Sequence, residues 1–253
     1  MDLGLSDRVV LITGAGGGVG PTLAQAFAAE AAAVALHVRD ASVHGRAHTV
    51  AEEIRAAGVR ATVVGADLRS SEAIAAMIAA VRDELGPATV LVNATSAYRS
   101  EPLAEIGDES WSSMIDDMLA ATFRVSRAVV PDMRAAGWGR IVSFASKSAL
   151  AGVARASHYA AAKAGVIGLT SSLAKELGPD GILVNAVAPT QILTVKEGVP
   201  SIPDDRAEKM AKSIPLRRLA TPDDIAPLVV WLASGANTYL TGETIAFTGG
   251  AKT

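Results

Sequence analysis

The sequence predicts an α/β fold, a doubly wound parallel sheet of about seven strands with helices on both faces, and three observations lead there. Short apolar runs alternate with longer segments of helical period along the whole chain. A glycine-rich turn, Gly14 to Gly20, joins the first apolar run to the first helical segment. Half of the 253 residues are hydrophobic but only 4% are aromatic, so Ala, Val, Leu and Ile must fill a core large enough for several layers.

Local signals place each element. Arg8 to Thr13 reads as a buried strand, and the helix from Pro21 to Ala31 opens on a proline, which suits a first turn. Val34 to Val38 is the second strand. A helix from about Val43 to Ala57 stops at Gly58, and Arg60 to Val64 is the third strand, with Asp67 just beyond it. Ile74 to Leu85 is helical and stops at Gly86-Pro87, and Thr89 to Asn93 is the fourth strand. After a loop containing Tyr98 to Pro102, one long helix runs from about Asp108 to Ala136 and ends at Gly137. Arg140 to Ala145 is the fifth strand, with Ser146 at its end; the helix Tyr159 to Leu177 and the strand Ile182 to Val187 follow. From 190 to 219 the pattern weakens around Pro200, Pro203 and Pro215, and apolar Val195, Val199, Ile202 and Met210 mix with Lys196, Glu197, Asp204, Asp205 and Arg206. That stretch is the expected lid over a substrate pocket. A helix from Pro222 to Ala233 and a strand from Glu243 to Phe247 close the chain, and with no low-complexity linker 1–253 reads as a single domain.

Composition excludes several function classes. With 23 Lys+Arg against 26 Asp+Glu the net charge is −3, which argues against a partner held by polyanion attraction, and scarce aromatics argue against base stacking, so no nucleic-acid partner is expected. The chain has no cysteine, which removes disulfides, thiolate metal sites and a thiol nucleophile and makes a cytoplasmic address the simplest expectation. Its start, with Asp2, Ser6, Asp7 and Arg8, lacks a basic-then-apolar signal layout, and Gln25, Glu30 and Arg39 interrupt apolar stretches, so no membrane partner is expected. The four histidines do not cluster with carboxylates at ligand spacing, and no metal is expected.

In a sheet of this kind ligands bind beyond the carboxyl ends of the strands. That gathers Gly14 to Gly20, Arg39, Asp67, Asn93 to Ser96, Ser146 and Pro189 to Thr194 around one crevice. Gly14, Gly16, Gly18 and Gly20, with Val19 between the last two, allow a sharp turn and a close backbone approach to a pyrophosphate at a helix N-terminus; the plainer alternative is a flexible turn. At the tip of the second strand Val38 stands where an acid would bind the ribose of NAD, and Arg39 follows as a cation for the extra phosphate of NADP. NADP(H) is therefore favoured, with NAD(H) the alternative if Arg39 simply pairs with Asp40 in solvent. Asp67 suits an adenine amino group, or else caps the helix that follows. Tyr159 and Lys163 stand at i and i+4 on one helix face, where an ammonium lowers a phenol pKa from its usual value of about 10. Ser146 lies upstream at a strand end, where its hydroxyl can hold a substrate oxygen against the phenol. The alternative reading is a surface Tyr and Lys with a turn serine nearby.

At these residues the chain resembles a short-chain dehydrogenase/reductase, of the kind that includes 3-oxoacyl-acyl-carrier-protein reductases. The glycine motif, Asp67-Leu68, Leu91-Val92-Asn93, Ser146, Tyr159 with Lys163, Asn185-Ala186-Val187-Ala188-Pro189, Pro222-Asp223-Asp224-Ile225-Ala226 and Thr241-Gly242-Glu243 fall in the family's order between Arg8 and Gly250. The resemblance implies a Rossmann-like fold with Ser146, Tyr159 and Lys163 as catalytic residues. It also implies that Leu68, Asn93, Ala94, Pro189, Thr190, Ile192 and Thr194 join the glycine turn, Arg39 and Asp67 around the dinucleotide. Tyr159 would give a proton to a carbonyl oxygen or take one from an alcohol, Ser146 would position that oxygen, and Lys163 would hold the nicotinamide ribose. The implied activity is NADPH-dependent reduction of a small-molecule ketone, reversible to the alcohol. The rivals are an NAD-dependent alcohol dehydrogenase and a nucleotide-binding partner or sensor with little catalysis. A homodimer or homotetramer is implied, with the long helix bearing Trp111, Met114, Met118 and Phe123 serving as core or as subunit contact.

The chain departs from the family pattern at several points. Met118 replaces an asparagine that completes a water-linked proton relay to the lysine, and a thioether cannot donate a hydrogen bond. Asn93-Ala94-Thr95-Ser96 and Pro189-Thr190 replace motifs ending in glycine, and Thr248-Gly249-Gly250 replaces Asp-Gly-Gly. His158, adjacent to Tyr159, is expected at the surface or an interface.

Overall fold

The computed structural model describes residues 2–42, 45–196 and 199–251. In chain order the strands are β1 (Val9–Thr13), β2 (Ala33–Val38), β3 (Ala61–Gly65), β4 (Val90–Asn93), β5 (Gly139–Phe144), β6 (Ile182–Pro189), β7 (Val195–Lys196), β8 (Val199–Pro200) and β9 (Thr244–Phe247). The helices are α1 (Gly20–Ala29), α2 (Gly45–Ala56), α3 (Ser71–Leu85), α4 (Asp108–Ile115), α5 (Ala121–Ala136), α6 (Lys147–Ala151), α7 (Ser157–Leu177), α8 (Asp204–Ala211) and α9 (Pro222–Leu232). Seven strands form one sheet in the order β3-β2-β1-β4-β5-β6-β9, and every neighbouring pair is parallel.

The apolar runs of β1 and β2 are buried along their whole length because both faces of the sheet are covered. Val10, Ile12, Val34 and Leu36 pack with Leu23 and Phe27 of α1 and Val229 of α9 in one core. Leu11, Ala33 and Ala35 point the other way, toward Ile74 and Ile78 of α3 and Val125 and Val129 of α5. The chain reverses its direction of travel across the sheet between β1 and β4, and this switch point opens the crevice. Among the described residues no helix is long and apolar enough to cross a membrane.

The strands fall where the sequence predicts them, but three features differ. The long helix is not continuous: a π-helical turn over Asp116–Ala120 separates α4 from α5. Such an insertion leaves composition and apolar spacing nearly unchanged on either side, and π turns recur at functional sites. The weak stretch after β6 contains α8 and the β7–β8 hairpin, and Ile202, Ile214 and Leu219 give it a small core of its own. Ser70, not Asp67, caps α3, accepting from the Ala73 N–H at 3.1 Å. Asp67, three residues before the cap, instead accepts from the Arg69 N–H at 3.0 Å. Val43, the expected start of α2, and Glu197 lie outside the described residues. Met114 and Met118 are buried in the core, whereas Trp111 and Phe123 remain 44% and 42% exposed on the outer side.

Candidate active site

The glycine turn is held from both sides. Thr13 Oγ1 accepts from the Ala94 N–H at 3.1 Å, tying the end of β1 to the loop after β4. The Gly14 N–H donates to His37 Nδ1 at 3.3 Å and the Ala15 N–H to the His37 carbonyl at 2.8 Å. With Nδ1 accepting, Nε2 carries the proton and donates to Ala66 O at 3.0 Å, so one neutral imidazole braces the turn against the end of β3. Gly14 has φ +71° and a Cβ there would sit 3.0 Å from Thr95 Cα; a Cβ at Gly20 would lie 2.5 Å from Ala15 Cα. Gly17 and Gly18 instead border open space, and Gly18 lines the cleft. This cradle suits an anionic diphosphate at the start of α1, so the residues present fit a dinucleotide. Gly20→Ala is expected to lower stability by about 1–3 kcal/mol through overpacking, read as a fall in the urea midpoint.

Arg39 is exposed at the end of β2 and, among the described residues, forms no ion pair. The alternative pairing with Asp40 is not made: Asp40 Oδ1 accepts from the N–H and hydroxyl of Ser42 at 2.9 and 2.7 Å. Asp67, also exposed, lies just beyond the end of the neighbouring β3. Asn93 is turned inward, where its side-chain amide donates to Ser126 and Ser143 hydroxyls at 3.3 and 3.2 Å. It is a strut between β4, β5 and α5.

A cleft of about 570 Å³ runs from the glycine turn to α8. Gly18, Val19 and Ala94 line it at the glycine end, and Pro189, Thr190, Ile192 and Thr194 form the side after β6. Ser146, Tyr159 and Lys163 meet on its floor, and each is less than a tenth exposed. Arg206, Met210 and Ile214 line the far end, where the sequence predicts pocket residues.

Ser146 leaves β5 and caps α6, its hydroxyl accepting from the Ser148 N–H at 3.1 Å. Burial raises the Tyr159 pKa above the ordinary phenol value, while hydrogen bonding with the Ser146 and Ser96 hydroxyls acts in the opposite direction. The Tyr98 ring stands edge-on to it at 5.2 Å between centroids. The expectation that Lys163 lowers this pKa is not met. Its buried ammonium is drawn onto the Phe144 carbonyl at 2.6 Å, and desolvation pushes its own pKa down to about 8.

One other residue, His158, corrects the sequence reading, and Met118 extends it. His158 is fully buried, with neither ring nitrogen hydrogen-bonded among the described residues and Nε2 4.0 Å from Glu101 Oε2. The loop before α4 covers it, held down by the Glu101 N–H on the Arg155 carbonyl at 2.7 Å. Met118 sits in the π turn with its sulfur accepting from the Ala97 N–H at 3.4 Å and its carbonyl from the Thr122 hydroxyl at 2.8 Å. Sequence reasoning gathered Ser96 at the crevice without giving it a role, and missed the parts that Thr13 and His37 play in the site. Ser96 carried a signal, since a side chain there replaces a glycine of the family pattern; Thr13 and His37 carried none beyond their places at strand ends.

A family model described as "Enoyl-(Acyl carrier protein) reductase" matches residues 14–252. The chain is 41% identical over 249 residues to the short-chain reductase protein NovJ of Streptomyces niveus, covering 96% of this chain and 94% of that protein. It is 35% identical over 248 residues to the 3-oxoacyl-[acyl-carrier-protein] reductase FabG of Pseudomonas aeruginosa, covering 98% of each. The crystal structure of L-sorbose reductase from Gluconobacter frateurii, complexed with NADPH and L-sorbose, superposes with a TM-score of 0.90 at 31% identity, covering 99% of this chain and 98% of that one. On the strength of matches that run nearly end to end, the chain belongs to the short-chain dehydrogenase/reductase family of NAD(P)-dependent oxidoreductases.

Proposed function

We propose that the protein reduces a ketone to an alcohol at the expense of NADPH, with Tyr159 as the acid in that direction and the base in reverse. The observation that carries this reading is the meeting of Ser146, Tyr159 and Lys163 on the floor of the cleft that begins at the open face of the glycine turn. The cofactor supplies the hydride. The Ser146 hydroxyl holds the carbonyl oxygen beside the Tyr159 phenol, which donates its proton as charge develops on that oxygen. Lys163 holds sugar hydroxyls of the cofactor through its ammonium protons. Gly14, Gly16, Gly18, Val19 and Gly20 receive the pyrophosphate; Asp67 and Leu68 flank the adenine. Ala94, Pro189, Thr190, Ile192 and Thr194 enclose the nicotinamide end, with the Asn93 side chain acting from behind as a strut. The segment 190–219 serves as lid, and the whole chain acts as one catalytic unit.

Arg39 favours NADPH because it is exposed at the end of β2 and forms no ion pair among the described residues. Arg39→Ala is expected to raise KM for NADPH by about 10- to 100-fold, the loss of one charge-assisted phosphate contact, and to leave KM for NADH nearly unchanged. The deciding experiment follows NADPH and NADH absorbance over a panel containing 3-oxoacyl thioesters, keto sugars and simple cyclic ketones. Oxidation of NADPH in preference to NADH by at least one class is expected. Absence of oxidation of either coenzyme across the panel would overturn the reading. Self-association as a homodimer or homotetramer belongs to the same reading, and the exposed Trp111 and Phe123 support it; light scattering measures it.

A further inference from the structure

We infer that Ser96 is a working part of the site: its hydroxyl is a second hydrogen-bonding partner of the Tyr159 phenol beside Ser146, and Met118 seats it there. This rests on the assignment of Tyr159 as the acid, and it goes beyond that assignment because the family pattern carries a glycine at this position and an asparagine in place of Met118. The two departures meet in the structure. Ser96 lines the cleft on the loop that leaves β4. The next residue in that loop, Ala97, gives its N–H to the Met118 sulfur at 3.4 Å. Three residues earlier the loop is pinned by the Ala94 N–H on Thr13 Oγ1 at 3.1 Å, and just beyond Ser96 the Tyr98 ring packs edge-on against Tyr159. The loop is therefore tied on both sides of Ser96, which lines the same cleft as Ser146 and Tyr159, and hydrogen bonding with Ser96 acts to lower the Tyr159 pKa against the effect of burial.

The chemistry follows from what a hydroxyl can do. A serine O–H accepts from a phenol and, after rotation, donates to a phenolate. When Tyr159 has given up its proton, the charge left on its oxygen is held by two hydroxyls rather than one, and charge-assisted bonds of this kind are the stronger ones. Met118 cannot take part in a relay as a donor, and its carbonyl already receives the Thr122 hydroxyl. Its sulfur instead fixes the backbone beside Ser96. Ser96 is thus a positioning residue that acts through Tyr159.

The test reads the phenol directly. The chain has three tyrosines, Tyr98, Tyr159 and Tyr239, so subtracting the tyrosinate absorbance titration of a Tyr159→Phe protein from that of the parent isolates the Tyr159 transition. Ser96→Ala and Ser96→Gly are expected to move that transition upward by about half to one pH unit, the worth of one hydrogen bond to the charged form. The limb of kcat/KM for alcohol oxidation that requires phenolate should move upward by the same amount. Ser96→Thr, which keeps the hydroxyl, should restore the parent titration. Met118→Leu, which removes the sulfur acceptor, should shift it in the same direction as Ser96→Ala. Ser96→Ala with the parent titration in a protein of unchanged melting temperature would overturn the inference. An upward shift without ketone turnover in any variant would keep Ser96 as a partner of the phenol and sink the reductase reading instead.

Discussion

Replacing Tyr159 by Phe is expected to lower kcat for ketone reduction by about 100- to 10,000-fold, the usual worth of a positioned general acid, while leaving NADPH affinity and fold intact. The aromatic ring keeps its place in the small core with Met114, Met118, Ala156 and Ala162 and keeps its edge contact with Tyr98. Only the hydroxyl is lost. Ser146 retains the Ser148 N–H, so the stability change should be within about 1 kcal/mol, the net worth of one hydrogen bond. Because burial raises the phenol pKa in the free protein, kcat/KM for reduction should stay flat through neutral pH, where the acid is protonated. In the oxidation direction, where the base must be phenolate, kcat/KM should go on rising with pH beyond the ordinary phenol range. A Phe variant that turns over a ketone at the parent rate, with NADPH bound as tightly, would remove Tyr159 from the chemistry.

How much of this could be read in the sequence depended on the range of the interaction. Strands buried on both faces appear as continuous apolar runs, so Val9–Thr13 and Ala33–Val38 announce themselves, and the alternation with helices fixes the parallel order. The three floor residues were legible for the same kind of reason, since Tyr159 and Lys163 share a helical face and Ser146 ends a strand. What was not legible is where a side chain goes once the neighbours close in. Spacing alone brought the Lys163 ammonium near the phenol, but the carbonyl of Phe144, from a strand distant in sequence, captures it. His158 lies beside Tyr159 in sequence yet is sealed by a loop more than fifty residues upstream. The π turn at Asp116–Ala120 adds one residue to a helical register without altering composition, and Met118, which accepts from the Ala97 N–H, lies within it. His37 reads as one more residue of a buried strand until the glycine turn folds back on it.

Lys163→Met is expected to abolish ketone reduction and to make the protein more stable. In the unfolded chain this lysine titrates near 10.5, whereas in the fold desolvation brings it down to about 8. At neutral pH the fold therefore carries a buried ammonium that a shift of this size prices at about 3 kcal/mol. Its compensation is a single hydrogen bond to the Phe144 carbonyl, worth about 1 kcal/mol net, and among the described residues no carboxylate pairs with it. Methionine of similar length fills the same space without the charge, so a gain of about 1–3 kcal/mol is expected, and for a chain of this size each kcal/mol raises the melting temperature by about 2–4 °C. The pH dependence gives an independent check. Between pH 8 and 10.5 the unfolded chain binds more protons at this site than the folded one, so parent stability rises with pH across that window and the Met variant lacks the rise. The raised pKa of Tyr159 contributes a loss of stability only above its unfolded value of 10, so the lower part of the window reports Lys163 alone. A variant that melts below the parent, with the rise between pH 8 and 10 retained, would show that the ammonium is not buried as a lone charge. A variant that is both more stable and inactive would mark Lys163 as a group kept for function against the interest of the fold.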